Sequence, residues 1–210
     1  PIQCRWVECN KGDDEDPDVR SRTVVMETKR VSNIAADDIN SVFSATPPLE
    51  AIRAQCSLMM SLQPLDGEPM VMQFLDISKA HPHCPVLRQN VYVRLPKEFG
   101  IPSGMCALLL MCLYGLRDAP KAFEFRLREA FIAAGYRPGV FSACCYSLEK
   151  FRVTYVIHGD DFVGVGPKKH LKAFVAHLRT NFTVKEMAYL GPGCKDKEAK
   201  ILNQIITHIG

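Results

Sequence analysis

Three observations predict an α+β fold. Short runs of Val, Ile, Thr and Tyr bounded by Gly, Pro and Asp recur along the chain, as strands do. Three other segments repeat apolar residues at helical spacing, and two of these begin at or just after prolines. The closely spaced runs on either side of residues 158–160 can pair only as a hairpin, so the strands should be largely antiparallel. The chain has 210 residues, 47% of them hydrophobic, enough for the core of one large domain or two small ones.

Gln3 to Cys9 and Arg22 to Val31 are expected as strands, joined across the Asp/Gly/Pro-rich run 10–18 as a hairpin with an acidic tip. Thr46 to Met60 opens with an N-cap candidate and two prolines, then repeats Leu49, Ile52, Cys56 and Met59, which predicts a helix that Pro64 to Glu68 breaks. Met70 to Leu75 suits a buried strand and ends on Asp76. Asn90 to Leu95 alternates and stops at Pro96, while Cys106 to Cys112 is apolar throughout and predicts a strand covered on both faces. Phe123, Leu127, Phe131 and Ala134 mark a helix stopping at Gly135. Phe151 to Ile157 and Asp161 to Val165 form the expected hairpin, and Leu171, Phe174, Leu178 and Phe182 mark a last helix.

A formal net charge of +3 does not by itself indicate a nucleic-acid partner, but its distribution is uneven. Residues 167–210 carry eight Lys and Arg against three acids, whereas Asp13 to Asp18 is acidic. Nine cysteines, an odd number without a CxxC pair, read as free thiols of a reducing compartment rather than a disulfide framework. No run of about 18 apolar residues appears, so no membrane partner is expected. The expected location is intracellular, in a cytoplasmic particle or the nucleus, and not secreted. The missing initiator Met and the abrupt Gly210 suggest a fragment.

The stretch Tyr155-Val-Ile-His-Gly-Asp-Asp-Phe-Val-Gly-Val-Gly166 sets Asp160 and Asp161 between two strand runs. A polar hairpin turn is the plain alternative, because Gly and Asp are favoured there. The apolar flanks argue for more: they place the aspartates at a core sheet, where like charges repel and lose hydration unless a divalent cation relieves them. Asp76 adds a third oxygen donor. Three carboxylates on neighbouring strands can hold two Mg²⁺ ions about 3.5 to 4 Å apart, an arrangement that serves phosphoryl transfer. His81-Pro-His-Cys84 could suggest zinc, but a second ligand pair is not evident and a polar loop is preferred. Cys144-Cys145 is read as packing.

Phe74-Leu-Asp-Ile-Ser-Lys-Ala80, Val91-Tyr-Val-Arg-Leu-Pro-Lys-Glu-Phe99, Cys112-Leu-Tyr-Gly-Leu-Arg-Asp-Ala-Pro-Lys-Ala-Phe123 and His158-Gly-Asp-Asp161 follow one another in an order and spacing that resembles the reverse transcriptase of Ty1/copia-type LTR retrotransposons. Arg5-Trp-Val and Arg20-Ser-Arg-Thr-Val-Val25 resemble the same family's fingers segment, so the resemblance covers nearly the whole chain. It implies a right-hand polymerase fold with fingers over 1–68, a palm with an antiparallel sheet over 69–185, and the start of a truncated thumb over 186–210. The implied reaction is RNA-directed DNA synthesis from dNTPs on a primed RNA or DNA template, with two Mg²⁺ ions or Mn²⁺ in their place. Integrase and RNase H segments of the same polyprotein would be its partners.

By that resemblance Asp76, Asp160 and Asp161 are the catalytic, metal-binding aspartates, and Ile77 offers its backbone beside them. Lys11, Arg20 and Arg22 resemble the finger cations that hold nucleotide phosphates. Tyr114 and Gly115 resemble the segment against the nucleotide and template base. His158, Gly159, Lys168 and Lys169 are expected along the primer and nucleic-acid backbone. Two positions depart from the family pattern: His81 stands where an aromatic residue usually screens the sugar 2′-hydroxyl, and His158-Gly159 replaces a Tyr-Val-like pair, which resembles the Gly-Asp-Asp of viral RNA-dependent RNA polymerases. An RNA-templated RNA polymerase and a decayed, inactive element that folds or only binds nucleic acid are therefore the alternatives.

Overall fold

The apolar run after residue 69 becomes an interior strand of the largest of three sheets. In the computed structural model, which describes residues 1–28, 42–63 and 67–209, this sheet has six strands. They are β3 (Met70–Ser78), β6 (Arg137–Pro138), β7 (Cys145–Leu148), β8 (Val153–His158), β9 (Asp161–Pro167) and β10 (Thr183–Leu190), in the order β10-β3-β9-β8-β7-β6. Every pairing in it is antiparallel, as expected. A separate four-stranded sheet runs β2-β1-β4-β5, from β1 (Ile2–Asn10), β2 (Val19–Val25), β4 (Tyr92–Arg94) and β5 (Ala107–Leu108), and includes one parallel pair, β1 with β4. The helices are α1 (Leu49–Ser61), α2 (Ala119–Ala133) and α3 (Lys168–Leu178), and β11 (Glu198–Ile201) and β12 (Gln204–Thr207) form a final hairpin.

The chain divides into two compact units, each of two separate stretches: Pro1–Ser44 with His81–Phe125, and Ala45–Ala80 with Arg126–Gly210. The first holds the four-stranded sheet and the second the six-stranded one. β10 runs across residue 185 and belongs wholly to the large sheet.

Strand alternation gives the large sheet two differently filled faces. On one, Met70, Met72 and Phe74 of β3 meet Val163 and Val165 of β9, Ala188 and Leu190 of β10, and Ala199 and Ile201 of β11, with Cys56, Leu58 and Met59 of α1 against them. On the other, Phe131 of α2 stacks on Tyr146 at 4.0 Å and meets Tyr155 edge-on, while Phe174 of α3 lies 5.0 Å from Tyr155. Aromatic pairs of this kind contribute about 0.5–1.5 kcal/mol each beyond the area they bury. Gly164 of β9 makes room for the Tyr155 ring, since a Cβ there would lie 2.4 Å from a ring carbon. The fully buried Gln73 is paired on both ends of its amide. The Tyr155 hydroxyl donates to its Oε1 at 2.6 Å, and its Nε2 donates to the Tyr189 hydroxyl at 2.5 Å.

Several expectations need correction. The first helix starts at Leu49 with Pro48, not Thr46, at the N-cap, and no side chain caps it. Cys106 to Cys112 is not a covered strand: only Ala107–Leu108 is extended, at a sheet edge, and Met105, Leu108, Leu110 and Met111 are exposed. Composition alone gave that run its buried reading, and the sheet supplies no second layer there. Phe151 belongs to a 3-10 turn, so the strand begins at Val153. The last helix ends at Leu178, before Phe182. The short strands β6 and β7 and the three strands after residue 182 were not anticipated. The expected strand residues 29–31, the helix-breaking residues 64–66 and Gly210 lie outside the described residues. All nine cysteines are free thiols.

Candidate active site

Register in the large sheet assembles a row of side chains from four strands. Asp76 of β3 is the cross-strand partner of Asp161 on β9, Asp161 pairs with His158 on β8, and on the other flank Lys185 of β10 pairs with Asp76. Cross-strand partners share a face, so the row reads lysine, aspartate, aspartate, histidine. This is the face that α1 and β11 cover over Met70 to Phe74, and Asp76 follows just beyond that apolar patch. The burial changes there too: Phe74 and Leu75 are buried while Asp76 and Asp161 are partly open.

Asp160 occupies the two-residue turn between β8 and β9 with Gly159, whose φ of 63° is the positive value a type II′ hairpin turn needs at its first position. The Asp160 carbonyl accepts a hydrogen bond from the Ile77 backbone N–H at 2.9 Å, which ties the turn to β3 next to Asp76. Ile77 itself is fully buried, and its amide is engaged by this bond. The Ser78 hydroxyl donates to Asp76 Oδ2 at 3.2 Å.

The electrostatics follow from this crowding. Burial, and then the neighbouring charges of Asp160 and Asp76, push the Asp161 carboxyl above its ordinary value, with His158 opposing them. A divalent cation would answer that repulsion, and the donor set consists of hard carboxylate oxygens, which suits Mg²⁺ or Mn²⁺. Among the described residues no three His, Cys, Asp or Glu side chains are gathered into a ready metal cage. Such a donor set leaves coordination positions for water and phosphate oxygens, as Mg²⁺ sites on nucleotide enzymes do.

Lys168 and Lys169 stand apart from this row. They open α3 at the far end of β9, roughly 20 Å from the turn at about 3.3 Å per strand residue. Lys168 lies over the Tyr189 ring at 5.2 Å, and Lys169 is exposed. His158 and Gly159, by contrast, adjoin the aspartates directly.

The remaining expected residues belong to the other compact unit. Arg22 of β2 places its guanidinium 4.9 Å from the centre of the Tyr114 ring, and the His81 ring lies 5.0 Å from the same tyrosine. Gly115 has a φ of 88°, and a Cβ on it would meet the Val25 carbonyl oxygen, so only glycine fits this close approach to β2. Arg20 is turned to Asp18 at 3.1 Å, and the Lys11 backbone closes the hairpin on the Asp18 carbonyl. The structure thus joins Arg22, His81, Tyr114 and Gly115, and leaves Arg20 and Lys11 at the hairpin tip.

The ordered motifs, the register-paired aspartates and the turn that carries Asp160 agree with a comparison against known families. Residues 1–195 match the family described as reverse transcriptase (RNA-dependent DNA polymerase), the one typical of Ty1/copia-type elements. The chain belongs to the reverse transcriptase family. That membership places it among polymerases of the nucleotidyltransferase class, whose members act on template, primer and dNTPs and generally use divalent metals.

Lys185 is the residue of the row that the sequence did not single out. It was visible only as one cation among eight in the C-terminal stretch. Its place beside Asp76 depends on β10 pairing with β3, which no local pattern specifies.

Proposed function

We propose that this reverse transcriptase domain is an active RNA-directed DNA polymerase of a copia-like retroelement, adding dNTPs to a primer 3′-hydroxyl with loss of pyrophosphate. The observation that carries the reading is the pairing of Asp76 with Asp161 across adjacent strands, with Asp160 tied to β3 through the Ile77 amide. Asp76, Asp160 and Asp161 would hold the divalent ions, which when bound supply charge neutralisation at the triphosphate and acidify the attacking hydroxyl. The protein's own part is to set Asp76 and Asp161 as cross-strand partners, with Asp160 in the adjoining turn. Lys185 and His158 stand at the two ends of the row, and His158 partly opposes the repulsion on Asp161.

In the other unit, Arg22, Tyr114 and Gly115 are assigned to the incoming nucleotide and template base, and His81 to the sugar. The contact of His81 with Tyr114, which is assigned to the same nucleotide, supports that last assignment. Arg20 and Lys11 are assigned to phosphates, and His158 and Gly159 to the primer end. Lys168 and Lys169, at the opposite end of β9, are assigned to the nucleic-acid backbone away from the reacting atoms. Integrase and RNase H segments of one polyprotein complete the proposed setting.

Primer extension on an RNA template tests the reading, in Mg²⁺ and in Mn²⁺, beside the Asp160→Ala, Asp161→Ala double variant. Extension by the parent and its loss, by at least about 10³-fold, in a folded variant is the expected result, on the scale that removing a key electrostatic group costs. Equal extension by both proteins would remove the aspartates from the chemistry. A folded parent that binds primer-template without extending it would support the decayed-element alternative.

A further inference from the structure

One heavily engaged charge in the first unit is not among the residues assigned above. Arg88, in the loop between the 3-10 turn His81–His83 and β4, grips two carboxylates at once. Its Nη1 and Nη2 donate to Glu27 Oε1 and Oε2 at 2.8 and 2.9 Å, and its Nε and Nη2 donate to Asp118 Oδ2 and Oδ1 at 2.8 and 3.0 Å. Both acids are nearly inaccessible, with side chains 0% and 2% exposed, against 21% for Arg88. Two buried carboxylates around one guanidinium are costly to assemble unless each oxygen is satisfied, and here the fork geometry of arginine satisfies four at once. Burial disfavours the guanidinium charge, yet the hydrogen bonds to Asp118 and Glu27 outweigh it and hold the group above its ordinary value.

The three residues bracket one short turn. Glu27 follows β2 by two residues, and its Oε2 also accepts the Arg117 backbone N–H at 2.9 Å. Asp118 stands immediately before α2, with its carbonyl accepting the Ala122 N–H. Between them lie Tyr114 and Gly115, pinned to the same strand by the Val25 N–H donating to the Tyr114 carbonyl at 2.7 Å. The turn is therefore held at both ends: by backbone to β2 at Tyr114, and by the carboxylates at Arg117 and Asp118.

We propose that Arg88, acting with Glu27 and Asp118, is a positioning residue that fixes the Tyr114–Gly115 turn against β2 and thereby sets how the enzyme selects its nucleotide. The inference rests on the assignment of Tyr114 and Gly115 to the nucleotide. Arg88 touches no substrate in this scheme; it acts through the turn. A Lys could not replace it, because an ammonium lacks the planar fork that spans two carboxylates.

Two variants test it. Glu27→Gln preserves shape but leaves one acceptor oxygen for three N–H donors, so its amide NH₂ faces at least one donor of Arg88 or Arg117. Arg88→Met removes the clamp. The expected result is a dNTP KM raised about tenfold in Arg88→Met and less in Glu27→Gln, with kcat per active site nearly kept and dNTP-over-rNTP preference reduced, the pattern of a misplaced binding group. The backbone amide resonance of Gly115 should move in the same order in both proteins. Should Arg88→Met not fold, Glu27→Gln carries the same comparison. A folded Glu27→Gln protein with parental KM, parental sugar preference and an unmoved Gly115 resonance would reduce the clamp to a fold element and overturn the proposal. If the parent itself does not extend primers, the polymerase reading fails, and the Gly115 resonance still decides whether the clamp sets the turn.

Discussion

Asp161 carries a cost in the metal-free protein that its neighbours impose. Its carboxyl is raised by burial and by Asp160 and Asp76, so the folded state holds its proton more tightly than the unfolded chain does. The associated stability is present at acid pH, below the ordinary value of 3.8, and is lost as pH rises through the raised folded value. Asp161→Asn should therefore stabilise the metal-free fold at neutral pH, with the gain shrinking as pH falls towards that ordinary value. Urea denaturation of both proteins in EDTA across this range checks it, and a gain that is the same at every pH would mean that charge is not the cause. Adding Mg²⁺ should reverse the order, because only the parent keeps all three carboxylates. Asp76 and Asp161 could be read from the sequence because each borders an apolar run, and Asp160 because it precedes Asp161 in the turn between two such runs. Lys185 and Arg88 could not, because the partners that give them meaning come from distant segments brought together by strand order and loop packing.

Among the elements, β9 is the most constrained. It carries Asp161 at its first position, feeds Val163 and Val165 to one core, and sets Phe162 against Phe131 of α2 and Gly164 against the Tyr155 ring of β8. Gly164→Ala should push the Tyr155 ring from its place, costing about 1–3 kcal/mol as overpacked cores do. The Tyr155 bond to Gln73 would be strained with it. Thermal unfolding measures the loss, and an unchanged midpoint would show that the strand can shift to admit a methyl. Helical spacing made α2 and α3 readable, and continuous apolar runs made β3, β8 and β9 readable, because those segments are long enough to carry a pattern. β6 and β7 are too short to repeat anything, and Cys106 to Cys112 misled because an apolar run states what a segment could bury, not whether a second layer exists to bury it.

At the scale of the whole molecule, a formal charge of +3 is too small to account for nucleic-acid binding unless it is unevenly spread. Part of the acidic tip has a local purpose: Asp13 accepts hydrogen bonds from the backbone N–H groups of Glu15 and Asp16, as an aspartate in a turn does. Lys195, Lys197 and Lys200 are exposed, and the last of them lies on β11, whose Ala199 and Ile201 face the core while their neighbours point away. If the stretch carrying these lysines follows a primer-template backbone, its contribution is counterion release, and each phosphate neutralised adds about 0.9 to the slope of log affinity against log salt. Replacing all three lysines with alanine should lower the slope by up to about three, weakening binding alike for every sequence while leaving kcat of the bound complex in place. Filter-binding titrations of a primer-template across a salt series read this directly. A parental slope in the triple variant would move the nucleic-acid contact elsewhere on the protein, and the arginine-bearing face of β2 would be the next place to look.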